Sequence, residues 1–293
     1  MAKYLLLDGM NLAFRSFYGM PELARHDGLP TGAIHGWMRT LWMLEDQEKP
    51  DKLVVFFDLG APTRHEALLP EYKANRSDCP PALAQQFPYI RRITTLLGLG
   101  GIEQHGVEAD DLIAGWAKRL AGDGHEVIIV SADKDLGQLV GGTIYQLTPP
   151  PTANPKLGWR RLDAAGIEEK FGVPPRLVPE LLALTGDSSD NIPGIDGAGF
   201  KTAAKWLNQY RSLEGVIDHC GELKPQRCQQ LVHSQRDAIR RNLQMTTLDT
   251  STTLASDTLE TSPGDLPAAI ALLEELEMRS TADQLRRRRV IRS

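Results

Sequence analysis

The chain is poor in cysteine and has no long apolar run. Its three cysteines, Cys79, Cys220 and Cys228, are odd in number and match no zinc or redox spacing. They exclude a disulfide scaffold and read as small, reduced side chains, as expected for a protein of the cytoplasm. The first apolar stretch, Tyr4 to Leu7, halts at Asp8, too soon for a signal-peptide core, and nothing approaches the ~20 apolar residues of a membrane span. Neither secretion nor membrane insertion is expected. A Walker loop, a G-x-S-x-G elbow and a dinucleotide fingerprint are also missing. The histidines His35, His65, His105 and His125 form no ligand pair and read as surface or structural side chains. A haloacid-dehalogenase-type phosphatase would need a second Asp two residues after Asp8, where this chain has Met10.

A net positive charge is lacking as well. A net charge of -5 argues against a nucleic-acid partner, because phosphate binding needs a basic footprint. Its distribution argues the other way. The segment from Lys201 to Arg241 holds eight Lys/Arg against four Asp/Glu, and with nine acids of a few short motifs set aside the net charge of -5 becomes +4 for the remainder.

What is present is alternation. Short apolar runs at Tyr4–Leu7, Leu53–Phe57, Gly101–Gln104, Glu126–Val130 and Thr143–Leu147 are separated by helical stretches, the pattern of βαβ units and a mostly parallel sheet covered by helices. At 293 residues and 41% apolar composition the chain can bury a real core. The proline-rich segment PPPTANP, from Pro149 to Pro155, marks a boundary between an α/β part, residues 1–150, and a part expected to be all-helical, residues 151–293. The second part closes with an amphipathic stretch, Leu266 to Leu276, and a basic tail, Arg286 to Arg289.

The acids fall where the strands end. Asp8 follows the first run, Asp58 the second, and Asp133 and Asp135 the run Glu126–Val130. In a parallel sheet the carboxyl ends share one edge, where ligands bind at the switch in strand order. Glu108, Asp110 and Asp111 open the helical run that ends near Leu120, which should begin on the same edge. Any one of these acids could simply cap a helix. As a set they repel, and such a cluster persists only around cations; all-oxygen donors favour Mg²⁺ or Mn²⁺, paired for phosphoryl chemistry.

Two basic elements accompany the acids. The segment from Arg64 to Arg76 ends in Tyr72, Lys73 and Arg76; on a helix the two cations would share a face and grip successive phosphates, with Tyr72 free to stack on a base. Further on, the stretch from Gly186 to Lys205 has Asp187 and Asp190 at its start and Gly197 and Gly199 before a helix carrying Lys201, Thr202 and Lys205. Close glycines let amides approach phosphate oxygens, which resembles a helix-hairpin-helix duplex grip; a tight interhelical turn is the plainer alternative.

In their order, LDGMN from Leu7, PEYKANR from Pro70, EADD from Glu108, ADKDL from Ala132 and TGDSSDNIPG from Thr185 resemble the 5′-nuclease family: the 5′ to 3′ exonuclease domain of bacterial DNA polymerase I, bacteriophage 5′-exonucleases and, more distantly, flap endonucleases. The resemblance covers Tyr4 to about Leu248. It implies a PIN-like 5′-nuclease fold with a helical arch near residues 64–92 and a helix-hairpin-helix (helix-three-turn-helix) DNA-binding motif near 182–207. It implies one metal held chiefly by Asp8, Asp58, Glu108, Asp110 and Asp111, with Asp133 between the sites, and a second held by Asp135, Asp187 and Asp190. Lys73 and Arg76 would act on the phosphates of a threaded strand, Lys73 at the scissile one. Tyr72, Gly197, Gly199, Lys201, Thr202 and Lys205 complete the DNA-binding set, with K⁺ as a candidate ion on the hairpin carbonyls.

The implied activity is two-metal hydrolysis of DNA at 5′ flaps, nicks and 5′ ends, with RNA in hybrid with DNA as a further substrate, by a monomer serving replication, repair and primer removal. A non-catalytic flap-DNA-binding module and a PIN-like ribonuclease remain as alternatives. A stand-alone nuclease is expected over a fragment, because the chain has its own tail. Two departures from the family pattern are the absence of an aromatic before Arg64 and the presence of Ala198, where a branched residue is common between the hairpin glycines.

Overall fold

The computed structural model describes residues 1–288 except 61, 253–258, 260 and 262. Five strands, β1 (Lys3–Asp8), β2 (Lys52–Phe56), β3 (Gly100–Ile102), β4 (Glu126–Val130) and β5 (Ile144–Thr148), pair in parallel, and β6 (Arg160–Leu162) closes the edge antiparallel to β5. The order is β3-β2-β1-β4-β5-β6. From β1 the chain passes to β2 on one side and later to β4 on the other, so the switch in direction falls between β1 and β4, the place where open parallel sheets bind ligands.

Both faces of the sheet are buried, which is why its strands read as unbroken apolar runs. Leu5, Leu7, Val55, Ile128 and Val130 face one core with Trp37 of α2 (Gly32–Glu48) and Ile90 and Ile93 of α5 (Phe87–Leu96). Leu6, Val54, Phe56, Val127 and Ile129 face the other, with Leu112, Ile113 and Trp116 of α6 (Ala109–Gly122). Alternate residues of each strand thus point to opposite sides, as the pleat requires. Before them, α1 (Gly9–Gly19) leaves β1 directly, and α3 (Thr63–Leu68) and α4 (Pro81–Ala84) lie between β2 and α5.

A separate helical core gathers Leu181, Leu182 and Leu184 of α8 (Val178–Thr185), Trp206 and Leu207 of α9 (Phe200–Tyr210), and residues of α7 (Ala164–Phe171), α10 (Leu213–Asp218), α11 (Arg227–Ser234) and α12 (Arg236–Thr246). The expected all-helical second half is corrected at one point, and its expected separation from the first part at another. Strand β6 lies beyond the prolines, because the segment from Pro149 returns its chain to the open edge of β5 and covers it. At the other end, α13 (Leu266–Glu275) and α14 (Arg279–Arg287) place Ala269, Leu272, Leu273, Ala282 and Leu285 in the first core against the sheet. Of the basic tail, Arg289 lies outside the described residues.

Candidate metal centre and nucleic-acid interface

The register of the sheet starts the site. Leu7 pairs with Val130 across β1 and β4, so the next residues, Asp8 and Ser131, stand side by side at the carboxyl edge. Ser131 donates its hydroxyl to Asp8 at 2.8 Å, and Asp8 also caps α1 by accepting from the Asn11 amide at 3.0 Å. On the other side of β1, Asp58 accepts from the Ala109 amide at 2.8 Å, which fixes the start of α6. Capping and clustering are therefore two uses of the same side chains.

Asp110, on the first turn of α6, feels the charges of Asp133, Asp8, Asp58 and Glu108. Burial first, then these neighbours, push its carboxyl well above the ordinary range. Asp8 is pushed to about 7, by burial against the opposing pull of the Asn11 and Ser131 hydrogen bonds, with Asp133 and Asp58 adding to the rise. Asp133 and Asp135 are raised as well, burial leading in both. Asp133 accepts from the Asp135 amide at 2.8 Å, so the two carboxylates are held on one short turn.

The loop between α8 and α9 brings the last two acids. Asp187 and Ile192 exchange two backbone hydrogen bonds of 2.8 Å, a miniature ladder that holds Asp187 and Asp190 toward the sheet. Gly186 and Gly194 make it possible, since a Cβ on Gly194 would lie 2.1 Å from the Thr185 carbonyl oxygen. Carboxylate oxygens of Asp135, Asp187 and Asp190 come within 4.8 Å of one another. Asp111 is the acid set apart: it accepts from the Asp249 amide at 2.8 Å and faces His65 and Arg64.

The basic loop differs from expectation. Residues 71–75 form turns, not a helix, and Lys73 has a left-handed backbone with φ of 57°. Two cations three apart thereby drop onto different acids, Lys73 onto Glu108 and Arg76 onto Asp190. Only the flanking α3, α4 and α5 are helical in the expected arch. Tyr72 is also corrected. Its ring stacks on His65 at 4.8 Å and its hydroxyl donates to Glu108 at 3.2 Å, so it props the site instead of offering a face to a base.

His65, expected as a surface or structural side chain, belongs to the site. It is buried, meets Glu108 through Nδ1 at 2.6 Å and the Met245 carbonyl through Nε2 at 3.1 Å. Burial would raise the Glu108 carboxyl, but the hydrogen bond from His65 and the charge of Lys73 hold it down at about 2. Lys134, on Asp187, was also missed. Spacing gives no signal for His65; Lys134 stood within a quoted motif, hidden by its acidic neighbours. Arg64 donates to the Gln244 carbonyl at 2.9 Å, which ties α3 to α12.

At the hairpin, Gly197 takes a φ of 81° and Gly199 precedes α9, whose Lys201 and Lys205 are exposed while Thr202 is partly buried. Ala198 is buried in the helical core, where a small residue fits. The Arg227 guanidinium lies over Gly197 so closely that a Cβ there would fall 2.6 Å from its Nη2, adding a third cation to this face.

Residues 3–172 match the N-terminal resolvase-like domain of 5′-3′ exonucleases, and residues 173–266 match their C-terminal SAM fold. The chain belongs to the 5′-3′ exonuclease family. Over 277 residues it is 35% identical to a family member named 5′-3′ exonuclease in Aquifex aeolicus, covering 94% of this chain and 92% of that protein. Over 285 residues it is 35% identical to DNA polymerase I of Mycobacterium bovis, covering 96% of this chain and 31% of the polymerase. The chain thus spans about a third of the length of the polymerase relatives it matches. In fold it is similar to the bacteriophage T5 flap endonuclease, solved as a pseudo-enzyme–product complex with DNA and metal ions, with a TM-score of 0.68, 22% identity and 97% of each chain covered. The six-stranded mixed sheet with its SAM-like helical part is the fold of this family.

Proposed function

We propose that the chain is a structure-specific DNA 5′-nuclease, a 5′ to 3′ exonuclease and flap endonuclease that hydrolyses phosphodiester bonds with two divalent ions. The observation that carries this reading is Asp135 Oδ1, a buried carboxylate oxygen with no hydrogen-bond partner among the described residues, beside the oxygens of Asp187 and Asp190. An orphaned carboxyl oxygen among other acids fits a cation ligand, whose charge would also favour its ionised form. The donor set is all oxygen, which suits Mg²⁺, with Mn²⁺ able to substitute.

Asp8, Asp58, Glu108 and Asp110 would hold one ion, with Asp111 at the margin and Asp133 shared; Asp135, Asp187 and Asp190 would hold the other. Bound ions supply a water-derived nucleophile and neutralise developing charge. The chain's own groups position the strand. Lys73 and Arg76, released from Glu108 and Asp190, meet the phosphates about the scissile bond, and the hairpin from Gly197 to Lys205 grips downstream duplex, with K⁺ on its carbonyls.

Substrates in this reading are DNA with 5′ flaps, nicks or 5′ ends, and RNA–DNA hybrids, handled by a cytoplasmic monomer in replication, repair and primer removal. The relatives named DNA polymerase I and the T5 neighbour solved with DNA and metal ions support it. Product sizing on 5′-labelled flap, nicked and blunt duplexes tests it, with Mg²⁺, with Mn²⁺ and with chelator. Metal-dependent cleavage near the 5′ end is expected. Flap binding without cleavage in either metal would favour the non-catalytic module, and cleavage confined to RNA would favour the ribonuclease.

A further inference from the structure

Among the described residues three Lys/Arg side chains sit on the acids of this site: Lys73 on Glu108, Arg76 on Asp190 and Lys134 on Asp187. The first two come from the basic loop and are accounted for as strand contacts. Lys134 is not part of that loop. It stands in sequence between Asp133 and Asp135, at the entry to the 3-10 turn Asp135–Leu139. Its backbone is fixed by the same hydrogen bonds that fix the carboxylates: the Asp135 amide donates to Asp133 at 2.8 Å, and Gln146 donates to the Asp133 carbonyl at 2.6 Å. The turn that presents an acid to the second group therefore also presents an ammonium to it.

The ammonium does not complete that group. It pairs with Asp187, whose side chain is 6% exposed, while Lys134 itself keeps 27% of its side chain in solvent. Asp135 Oδ1 stays without a hydrogen-bond partner among the described residues. A lysine with one end in water and the other on a buried carboxylate can leave at moderate cost, whereas the acid it leaves needs another cation at once. An ion coordinated by Asp135, Asp187 and Asp190, whose oxygens lie within 4.8 Å, would take Asp187 from the lysine and repel it.

The geometry points to Lys134 as a tethered cation of the second carboxylate group, competing with the divalent ion for Asp187 and making that ion the more weakly held of the two. This rests on the two-ion reading above and adds to it the residue that sets the order of loading. Among the described residues the first group shows no such device of its own: Glu108 meets Lys73 of the strand-binding loop and the His65 imidazole of α3, and neither stands on a turn that carries the acids.

The test is a count of bound ions, without DNA and without turnover. Mn²⁺ is titrated into the full chain and the free ion followed by electron paramagnetic resonance, in wild type, Lys134→Met, Lys134→Gln, Lys134→Arg and Asp135→Asn. The wild type should show a tighter and a weaker class, and Asp135→Asn should lose the weaker one. Lys134→Met and Lys134→Gln should tighten the weaker class by about tenfold, as for loss of a competing half-buried ion pair, and leave the tighter class within about threefold. Lys134→Arg should resemble the wild type. An unchanged weaker class in both neutral variants overturns the proposal, as does equal tightening of both classes, which would be a general field effect. If Asp135→Asn changes neither class, the two-ion reading itself fails, and the role of Lys134 with it.

Discussion

Ser131 and Asp8, 123 residues apart in sequence, meet through a 2.8 Å hydrogen bond at the point where the strand order turns. The serine hydroxyl can give its proton to only one acceptor, and giving it to Asp8 leaves the other Asp8 oxygen for the Asn11 amide. Asp8 is thereby held in one orientation and its ionised form is favoured against burial. Ser131→Ala should weaken the tighter class of Mn²⁺ binding by about tenfold, the low end for loss of a ligand's supporting hydrogen bond. Calorimetric titration measures this. Unchanged affinity would mean that β1 alone sets the orientation of Asp8.

The acids oppose folding of the metal-free chain. Asp8 is raised to about 7, and Asp110, Asp133 and Asp135 are raised too. A carboxyl with a raised folded-state pKa takes up its proton in the folded protein before the unfolded chain does, so stability falls as pH rises from about 4 to about 7. Glu108, held down at about 2, has the opposite sign: its contribution is present above the ordinary carboxylate value and lost only as pH falls toward 2, below this window. In chelator, the melting temperature should rise on going from pH 8 to pH 5. Asp110→Asn should raise it at pH 8 by a few degrees, flatten the slope and abolish cleavage while flap binding persists. A drop in melting temperature at pH 8 would show that Asp110 holds the fold and not an ion.

Much of this architecture is legible in the residues, because apolar runs ended by Asp mark both strands and their carboxyl edge. What escapes is what depends on pairing at a distance. Arg160 to Leu162 is too short and too basic to read as a strand, and it becomes one because β5 leaves an open edge. Leu266 to Leu276 reads correctly as an amphipathic helix, yet nothing local says that it packs on the sheet and not on its helical neighbours. In the site, the acids were legible by position, while Lys73 and Arg76 were assigned a helical face that the left-handed backbone at Lys73 replaces with a turn. His65, on α3, became part of the site only through the start of α6 and through α12, which bring Glu108 and the Met245 carbonyl to its two nitrogens.

The hairpin offers an electrostatic prediction. Lys201 and Lys205 are exposed on α9 one helical turn apart, with Arg227 beside them over Gly197. If each lysine neutralises a phosphate, Lys201→Ala with Lys205→Ala should weaken duplex binding across sequences and reduce the slope of log affinity against log salt by roughly one to two. Adding Arg227→Ala should reduce it by up to about one more. Fluorescence anisotropy at several salt concentrations gives the slope directly, and an unaltered slope in the double variant removes this face from the duplex interface.

Lys73 separates attachment from chemistry. Its ammonium lies on Glu108, feels Asp190 as well, and is raised above its ordinary pKa by their charges against the opposing effect of burial. It therefore stays charged, and on the function proposed above it meets the scissile phosphate. A charge so placed stabilises what develops in the transition state more than it stabilises the bound ground state, so its loss should fall on the chemical step. Arg76 is half-exposed and pairs with Asp190 at the rim, a geometry suited to holding a neighbouring phosphate. Lys73→Ala should lower single-turnover cleavage of a saturated flap by roughly two orders of magnitude or more, the effect of losing one well-placed stabilising group. Flap affinity should fall less than about tenfold. Arg76→Ala should reverse the pattern, with weaker binding and a milder loss of rate. Binding measured in Ca²⁺, followed by initiation with Mg²⁺, resolves the two terms. Because residue 73 has a left-handed backbone, Lys73→Gly serves as a control: it relieves the strain that alanine keeps, and should match alanine in rate if the ammonium is what matters. A Lys73→Ala enzyme that cleaves at nearly the wild-type rate once saturated would reduce this residue to a structural partner of Glu108.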